Sequence, residues 1–307
     1  MKQKMNQILC FVAFLAVGSI PVFGKPFAKG PYFGQIPPGS TPQVFAPGLI
    51  CDTRPHQPEA WGTFSADGNT FCFNRSGYVY ITENTEQGWT RPKRIMSIPF
   101  RASYCCLSPD ANSIYVMYNV MYKYDPSKHY NPCRSQRTSD GWSTPQEIGP
   151  PLSSPAKELG ISLAANNSIY FGSTRKGDGI GVIWVAPFVN NTWPRARDEH
   201  IALNFPVGDP GVAPDESFMV CTAKDQPGGY GHRDIYLILR LPDGTWSKPR
   251  NLGPRINTAF IEHGPRISPD KKYLFFNRSN GWDLRIDSVE SDIYWVELKE
   301  YLPESYR

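Results

Sequence analysis

The chain has 307 residues and a formal net charge of only +4, with 40% hydrophobic, 13% aromatic and 20% charged residues. This composition is typical of a globular protein with enough apolar material for a core, and no basic stripe indicates a nucleic-acid binder. The 30 prolines and 26 glycines follow no short period. Collagen is therefore excluded, and the frequent proline and glycine favour many short strands joined by turns.

The first 24 residues have the pattern of a cleavable secretory signal. Lys2 and Lys4 precede an apolar stretch over residues 8–20 that is too short to span a bilayer comfortably. Val22-Phe23-Gly24 places small or modest residues before a cleavage point after Gly24. We therefore expect a secreted or periplasmic protein whose mature chain, residues 25–307, forms one domain. No later stretch has the length and hydropathy of a transmembrane helix.

One short pattern occurs five times along the mature chain. A turn of the Ser-Pro-Asp type is followed, four and six positions after its aspartate, by two apolar residues, within 64–73, 107–116, 163–171, 212–221 and 267–276. Apolar residues with period two indicate a half-buried strand, and proline and aspartate favour a tight turn before it. Each copy therefore predicts strand, turn and strand, with Ala165 in the third copy at the position expected for aspartate.

Two further strands are expected in the copies. The third strand is predicted at 78–81, 183–185, 234–237 and 292–295, and around Met121-Tyr122 in the second copy. The fourth begins with tryptophan followed by proline, as in the segments 89–95, 142–148 and 246–252. Four antiparallel strands per copy are typical of a propeller blade.

The last copy lacks its tryptophan–proline strand, and a matching segment lies at the other end of the chain. Residues 41–48 are similar to residues 248–254, with Phe45 at the position of Leu252. An N-terminal strand that completes the last blade would remove the free sheet edges. The sequence thus predicts an all-β fold, a five-bladed β-propeller of four-stranded antiparallel blades with the last blade closed by the N-terminal strand. A sixth, degraded blade is the alternative.

The repeated Ser-Pro-Asp turn, the alternating apolar residues after it and the downstream Asp-Ile-Tyr, as in Asp234-Ile235-Tyr236, resemble the bacterial WD40-like repeats of TolB-like proteins. The resemblance covers roughly residues 31–303. It implies a propeller fold. Because such propellers serve as binding platforms, as domains attached to peptidases and as modules of other kinds, it implies no catalytic motif.

The innermost strands are expected to begin on one face of the ring, where a ligand would meet converging side chains. Counting back from each turn places these candidate ligand-binding residues there: Glu59, Arg101, Glu158, Asp209, Glu262 and His263, with Lys157 beside them. The carboxylates can accept hydrogen bonds from a sugar or a peptide amine, or bind a hard cation. The structural alternative is that they satisfy backbone N–H groups or pair with Arg101 and Lys157.

The function expected from these features is that of a non-catalytic module that binds an unknown protein, peptide or glycan at the channel mouth. The alternative is a propeller glycoside hydrolase, which needs two carboxylates flanking the scissile bond. The chain has no Gly-x-Ser-x-Gly motif of a serine hydrolase, and its five histidines lack metal-ligand spacing. The sequence therefore predicts no cofactor, no metal ion and no nucleic-acid partner, and it identifies no catalytic residue.

A cation opens the loop after the second strand in four copies, as in Phe73-Asn74-Arg75-Ser76-Gly77. We expect this cation to brace its loop, with Asp234 and Asp292 as the acids in two copies; recognition of an anion or glycan is the alternative. The longer loops carry aromatic residues, at 118–134, 224–233 and Trp282, that suit either a ligand face or packing of the loop on its own blade.

The mature chain has six cysteines with irregular spacing, at positions 51, 72, 105, 106, 133 and 221. Export permits disulfides. The spacing does not resemble a disulfide framework, and we expect these residues as small apolar groups buried on strands, with bridges as the alternative.

Overall fold

The computed structural model describes residues 27–54, 57–99, 102–118, 131–176, 181–198, 207–281 and 289–307. Within these ranges the chain is all-β, without an α-helix and with short 3-10 turns at Pro31–Gly34 and Glu304–Tyr306. The described residues include no helix that is long and apolar enough to cross a membrane. The predicted signal segment, residues 1–24, lies outside the described residues.

After a short first strand, the remaining strands fall into five consecutive antiparallel sets, which we call sheets I to V. Sheets IV and V are joined into one eight-stranded sheet, which includes β1, by a parallel pair in which Arg233 lies opposite Ile261. Strand β1 is Gln43–Val44. Sheet I contains β2 Glu59–Phe64, β3 Thr70–Arg75, β4 Tyr78–Thr85, β5 Gly88–Trp89 and β6 Lys93–Arg94. Sheet II contains β7 Ser103–Leu107, β8 Ser113–Tyr118, β9 Asn131–Thr138, β10 Gly141–Trp142 and β11 Gln146–Glu147. Sheet III contains β12 Glu158–Leu163, β13 Ile169–Ser173, β14 Val182–Ala186 and β15 Arg197–Asp198. Sheet IV contains β16 Val207–Val212, β17 Phe218–Lys224, β18 Arg233–Leu239 and β19 Arg250–Asn251, and sheet V contains β20 Ile261–Ile267, β21 Tyr273–Ser279 and β22 Ser291–Glu297.

Strand β1 pairs with the last strand of sheet V. Gln43 lies opposite Trp295 and Val44 opposite Tyr294 in an antiparallel ladder. The same position of sheet IV is taken by β19, where Arg250 lies opposite Leu237 and Asn251 opposite Tyr236. Val44 therefore corresponds to Asn251, and Phe45 to Leu252.

Five hydrophobic clusters fill the spaces between neighbouring sheets. One of them joins sheet V to sheet I, and its members include Phe45 from the segment after β1, Phe71 and Trp89 from sheet I, and Phe275 and Trp295 from sheet V. The first strands also contact one another from sheet to sheet, and β20 of sheet V contacts β2 of sheet I. Successive side chains along a strand point to opposite faces of its sheet, so each strand contributes residues to the clusters on both sides. This agrees with the period-two pattern of the sequence.

The predicted turn chemistry is present in the turns after the first strands. Ser65, Ser108 and Ser268 each donate a hydroxyl hydrogen bond to the turn aspartate two residues later, at 2.6, 2.6 and 2.7 Å. The third copy differs from the prediction. Its turn is one residue shorter, and Asn166, not position 165, accepts the hydrogen bond from the backbone N–H of Ser168 at 2.9 Å.

The third strand of sheet II was predicted at the wrong place. Strand β9 begins at Asn131, whereas Met121-Tyr122 lies outside the described residues. The long insertion between β8 and β9 carries alternating tyrosines, which imitate a strand pattern. Of the other loop residues singled out for their aromatic rings, Tyr230 is exposed, and Trp282 lies outside the described residues.

Every innermost strand contains a bulge at the same position. The ladder with the second strand shifts register in all five sheets, and each bulge contains one residue with positive φ: Trp61, Tyr104, Gly160, Asp209 and Gly264. A Cβ on Gly264 would lie 2.6 Å from a carbon of the Trp61 ring, and one on Gly160 would lie 2.7 Å from the Cα of Asp209. Glycine in two bulges thus makes room for the neighbouring bulge, for the Trp61 ring beside Gly264 and for the backbone of Asp209 beside Gly160.

Candidate functional site

Three of the predicted mouth carboxylates lie in the same arrangement, which we call the Glu–Arg brace. Glu59, Glu158 and Glu262 begin or nearly begin an innermost strand and bind Arg75, Arg175 and Arg278 of their own sheet at 2.7, 2.7 and 2.8 Å. All three carboxylates are buried. The sequence therefore places each acid at the ring face and supplies its counterion from the end of the second strand or just beyond it.

Each arginine of a brace also ties down the segment that leads into its sheet. Arg75 donates to the carbonyl of Ile50 at 2.5 Å, and Arg278 donates to that of Ile256 at 2.8 Å. The guanidinium groups lie over two aromatic rings of the same sheet, in the first brace those of Phe73 and Tyr80. A buried, hydrogen-bonded ion pair of this kind orients the chain segments that it joins. Substitution of one partner leaves the charge of the other buried and uncompensated.

The predicted loop braces had the wrong acid. Arg75, Arg175 and Arg278 bind the glutamates of the first strand, and Lys224 lies near Asp225. Asp234 instead holds its loop through backbone N–H groups, accepting hydrogen bonds from Tyr230 at 2.9 Å and Gly231 at 3.1 Å. The error arose because the true partner lies on a different strand, which local sequence spacing does not indicate.

Side chains fill the centre of the ring behind the braces. The ring centroids of Trp61 and Tyr104 are 4.8 Å apart, and His263 contacts Trp61 at 5.9 Å. Asp209 binds Arg233 at 3.0 Å, and burial together with the Asp209 charge raises the pKa of Tyr104. The predicted residues Asp209 and His263 are thus buried side by side in the centre, whereas Lys157 is exposed and Arg101 lies outside the described residues.

Deeper along the axis, Arg266 binds backbone carbonyls of three first strands. It donates to Ile161 of β12 at 2.8 Å, to Pro210 of β16 at 3.2 Å and to Pro265 of its own strand at 2.8 Å. The pocket beyond it, on the opposite face, has a volume of only ≈50 Å³. The side chains in the centre therefore leave little space for a ligand along the axis.

The buried imidazole of His263 predicts a loss of stability in acid. Burial lowers its pKa to about 4, against the opposing effect of Asp209. Above pH 6.5 the imidazole is neutral in both states; between pH 6.5 and 4 the unfolded chain takes up a proton that the folded chain does not. We expect this group to reduce the free energy of unfolding by about 2–3 kcal/mol at pH 4.5 relative to pH 7.5.

Urea unfolding of the native chain and of His263→Asn at these two pH values measures the effect. The native chain should lose about 2–3 kcal/mol more than the variant on acidification. An equal loss in both proteins would contradict a neutral, buried His263.

A pocket of ≈460 Å³ lies on the same face, where β2 and β22 begin, and we call it the acidic pocket. Its lining comes from three stretches of chain, namely Val44, Pro47 and Cys51 to Arg54, then Gln57 and Pro58, then Glu290 to Asp292. Asp52 forms an ion pair with Arg54 at 2.6 Å, and this contact lowers the pKa of Asp52 to about 2. Glu290 and Asp292 have no such ion pair within the described residues.

Beside this pocket, three groups that can bind a metal ion come together. A carboxylate oxygen of Glu59, the sulfur of Cys51 and a carboxylate oxygen of Asp292 all lie within 4.8 Å of one another. Burial raises the pKa of Glu59 to about 8, with Asp292 adding to it and Arg75 opposing it. Burial also raises the pKa of Asp292 and of the Cys51 thiol.

Sequence reasoning placed Glu59 at this face and missed its two neighbours. Cys51 was grouped with the buried cysteines, all six of which lie buried as free thiols, and Asp292 was assigned to a loop brace. Extending the match between residues 41–48 and 248–254, with Phe45 at the position of Leu252, aligns Ile50 with Asn257. The correspondence of Cys51 with Asn257 requires a one-residue insertion, and it appears only in the contacts of these two side chains with the backbone of Ile293 and of Ile235.

Comparisons with known proteins identify a fold and no family. No protein-family model matches the chain, and no curated protein matches it in sequence. A glycoside hydrolase superposes with a TM-score of 0.52 at 9% identity, over 84% of this chain and 91% of its own. A TolB protein from Agrobacterium tumefaciens has a TM-score of 0.48 at 15% identity, over 77% and 76% of the two chains.

A chain of a nidogen–laminin complex has a TM-score of 0.44 at 12% identity, over 73% of this chain and 77% of its own. These neighbours are β-propeller proteins that include both binding proteins and enzymes. At such low identity the similarity shows a β-propeller fold alone.

Proposed function

We propose that this chain is an exported, five-bladed propeller that acts as a non-catalytic module and binds a positively charged group in the acidic pocket. Export is supported by the N-terminal sequence pattern. The blade number is supported by the five bulged first strands and the five clusters between neighbouring sheets. Closure of the last blade is supported by the pairing of Val44 with Tyr294.

The observation that carries the function is the charge of the pocket wall. Glu290 and Asp292 face a pocket of ≈460 Å³, and neither has an ion pair among the described residues. Arg54, the cation in the lining, is engaged by Asp52. A ligand that brings positive charge gains Coulomb energy there without displacing an existing pair.

The mouth carboxylates support a binding role over hydrolysis. A glycosidase needs one carboxyl group as acid and a second, free carboxylate as base or nucleophile. Glu59, Glu158 and Glu262 each bind an arginine inside the protein through Oε1, so none of them is a free carboxylate of the kind that a glycosidase needs as base or nucleophile.

Calorimetric titration of the mature protein, residues 25–307, tests this proposal. The probes are the amide of Ala-Lys-Ala, the same peptide acetylated on both amines, Ca²⁺ and Zn²⁺. At least one cationic probe should bind, and Glu290→Gln combined with Asp292→Asn should weaken that binding roughly tenfold or more, since two charges close to the ligand are lost.

Glu86→Gln is the matched control, because it removes an exposed acid from the turn between β4 and β5, outside the pocket lining. Binding in this variant should be unchanged. Failure of every cationic probe to bind, or equal binding by the acetylated peptide, would overturn the proposal.

A further inference from the structure

We infer that the acidic pocket holds a zinc-like divalent metal ion, bound by the thiolate of Cys51 and the carboxylates of Glu59 and Asp292, with an open coordination position toward the pocket. The inference rests on the proposed function and names the cation.

The junction between sheets IV and V also has an acid at this place, and there the acid is satisfied within the protein. The side chain of Asn257 accepts a hydrogen bond from the backbone N–H of Ile235 at 2.7 Å and donates one to the carbonyl of Ile235 at 3.0 Å. It also donates to Asn251 at 2.8 Å, and Asn251 donates to Asp234 at 2.9 Å. Asn251 thus satisfies the acid of this sheet, and Asn257 holds Asn251 in place.

At the junction between sheets V and I the same positions carry different residues. Cys51 takes the place of Asn257, since its sulfur accepts from the N–H of Ile293 at 3.4 Å and lies 3.6 Å from the carbonyl of Ile293. Val44 takes the place of Asn251 by its register on β22. The acid remains, as Asp292, but a valine replaces the amide that donates to the acid in sheet IV, and a thiol replaces the amide that supports it.

Glu59 supplies a second, independent observation. Its side chain is fully buried, and although Oε1 binds Arg75, Oε2 has no hydrogen-bond partner. Of the two corresponding glutamates, Glu262 has its second oxygen satisfied by the backbone N–H of Thr258 at 3.1 Å, whereas Oε2 of Glu158 also has no partner but is not clustered with a cysteine and a second acid within the described residues. A buried oxygen without a partner costs about 1–3 kcal/mol, and a bound cation would satisfy it.

The donor set selects the metal. One thiolate and two carboxylates suit zinc and similar ions better than calcium, which prefers oxygen alone. Tetrahedral bonds of this type place neighbouring ligand atoms about 3.5 Å apart, and the three atoms here lie within 4.8 Å of one another. Small rotations of the side chains would complete the site.

The charges also balance. Arg75 offsets Glu59, so a divalent ion meets the charges of Asp292 and of the thiolate. On binding, the Cys51 thiol releases its proton to solvent through the pocket and ceases to donate to the carbonyl of Ile293. The N–H of Ile293 then donates to the thiolate, as a supporting hydrogen bond around a metal ligand does.

The test is a titration of the untagged, reduced and metal-stripped mature protein with Co²⁺, followed by the near-ultraviolet thiolate-to-cobalt absorption and by competition with Zn²⁺. We expect one ion per chain. Cys51→Asn, which introduces the residue of the neighbouring junction, should abolish the thiolate band, and Asp292→Asn should weaken binding roughly tenfold or more.

Two controls match these variants. Cys133→Ala removes another buried thiol, and Asp234→Asn changes the corresponding acid of sheet IV; both should retain the band. Absence of a thiolate band in the native chain, or its persistence in Cys51→Asn, would overturn the inference.

X-ray absorption at the zinc edge of the zinc-loaded native chain identifies the atoms bound to the metal. This measurement does not depend on the folding of any variant. One sulfur and at least two oxygen neighbours are expected, and a first shell without sulfur would overturn the inference. If a metal binds equally well to Cys51→Asn, or if only the lysine peptide binds, the metal site fails while the cation-binding function stands. If no cation binds, both fail.

Discussion

A chain that begins at Asp52 is expected to lose its cooperative thermal transition. Residues 27–51 provide strand β1 to sheet V, and they contribute Phe33, Phe45 and Ile50 to the cluster between sheets V and I. Without them, β22 becomes an unpaired edge strand. The cluster between sheets V and I also loses the aromatic rings of Phe33 and Phe45. Near-ultraviolet circular dichroism during heating measures the transition, and a melting curve like that of the mature chain would refute closure by the N-terminal strand.

A single substitution gives a graded version of this experiment. Phe45 is fully buried, and its ring lies 5.0 Å from that of Phe275 and 5.3 Å from that of Trp295. Phe45→Ala should cost about 4 kcal/mol of unfolding free energy and lower the melting temperature by roughly 10 °C. Phe260→Ala is the control, because 51% of that side chain is exposed, and it should have little effect.

Arg266→Ala is expected to be about as destabilising, at roughly 3–5 kcal/mol, because three buried backbone acceptors lose their donor and each unpaired acceptor costs about 1–3 kcal/mol. The guanidinium is buried and donates to carbonyls of Ile161, Pro210 and Pro265. Its removal leaves these acceptors unpaired and opens a cavity at the axis. Arg266→Lys should recover only part of the loss, since an ammonium group cannot reproduce the planar fork of donors.

Urea unfolding of both Arg266 variants checks this prediction. Arg255→Ala serves as the control: its ion pair with Glu300 is exposed on both sides, and such pairs contribute about 0–1 kcal/mol. A loss for Arg266→Ala no larger than that of the control would show that the axis is not held by this side chain.

The repeated strands could be predicted because their signals are local. The period-two pattern and the Ser-Pro-Asp turn are contained within about ten residues, and the structure has a first and a second strand at each copy. Sheet II shows the limit. Its third strand was expected around Met121-Tyr122, but it begins at Asn131, because an insertion separates the elements that the repeat normally keeps together.

The partners of the side chains were harder to predict than their positions. Glu59, Glu158 and Glu262 were placed at one face, but Arg278 was assigned to Asp292, and no acid was named for Arg75 or Arg175. Ion pairs between strands depend on register and on the direction in which a side chain leaves its strand, which spacing alone does not give. The acidic pocket was out of reach for the same reason, because Cys51 and Asp292 become neighbours only when β1 pairs with β22.

That pairing also sets an order of events during synthesis. Val44 is among the first residues of the mature chain to emerge, and its partner Tyr294 follows about 250 residues later. The rings of Phe33 and Phe45 therefore remain exposed until almost the whole chain has been synthesised, because they pack against residues of sheet V. Contacts of such long sequence separation fold slowly and expose apolar surface to aggregation. The pairing of β1 with β22 is consequently a late event, and until then the N-terminal segment exposes apolar side chains that a chaperone could bind.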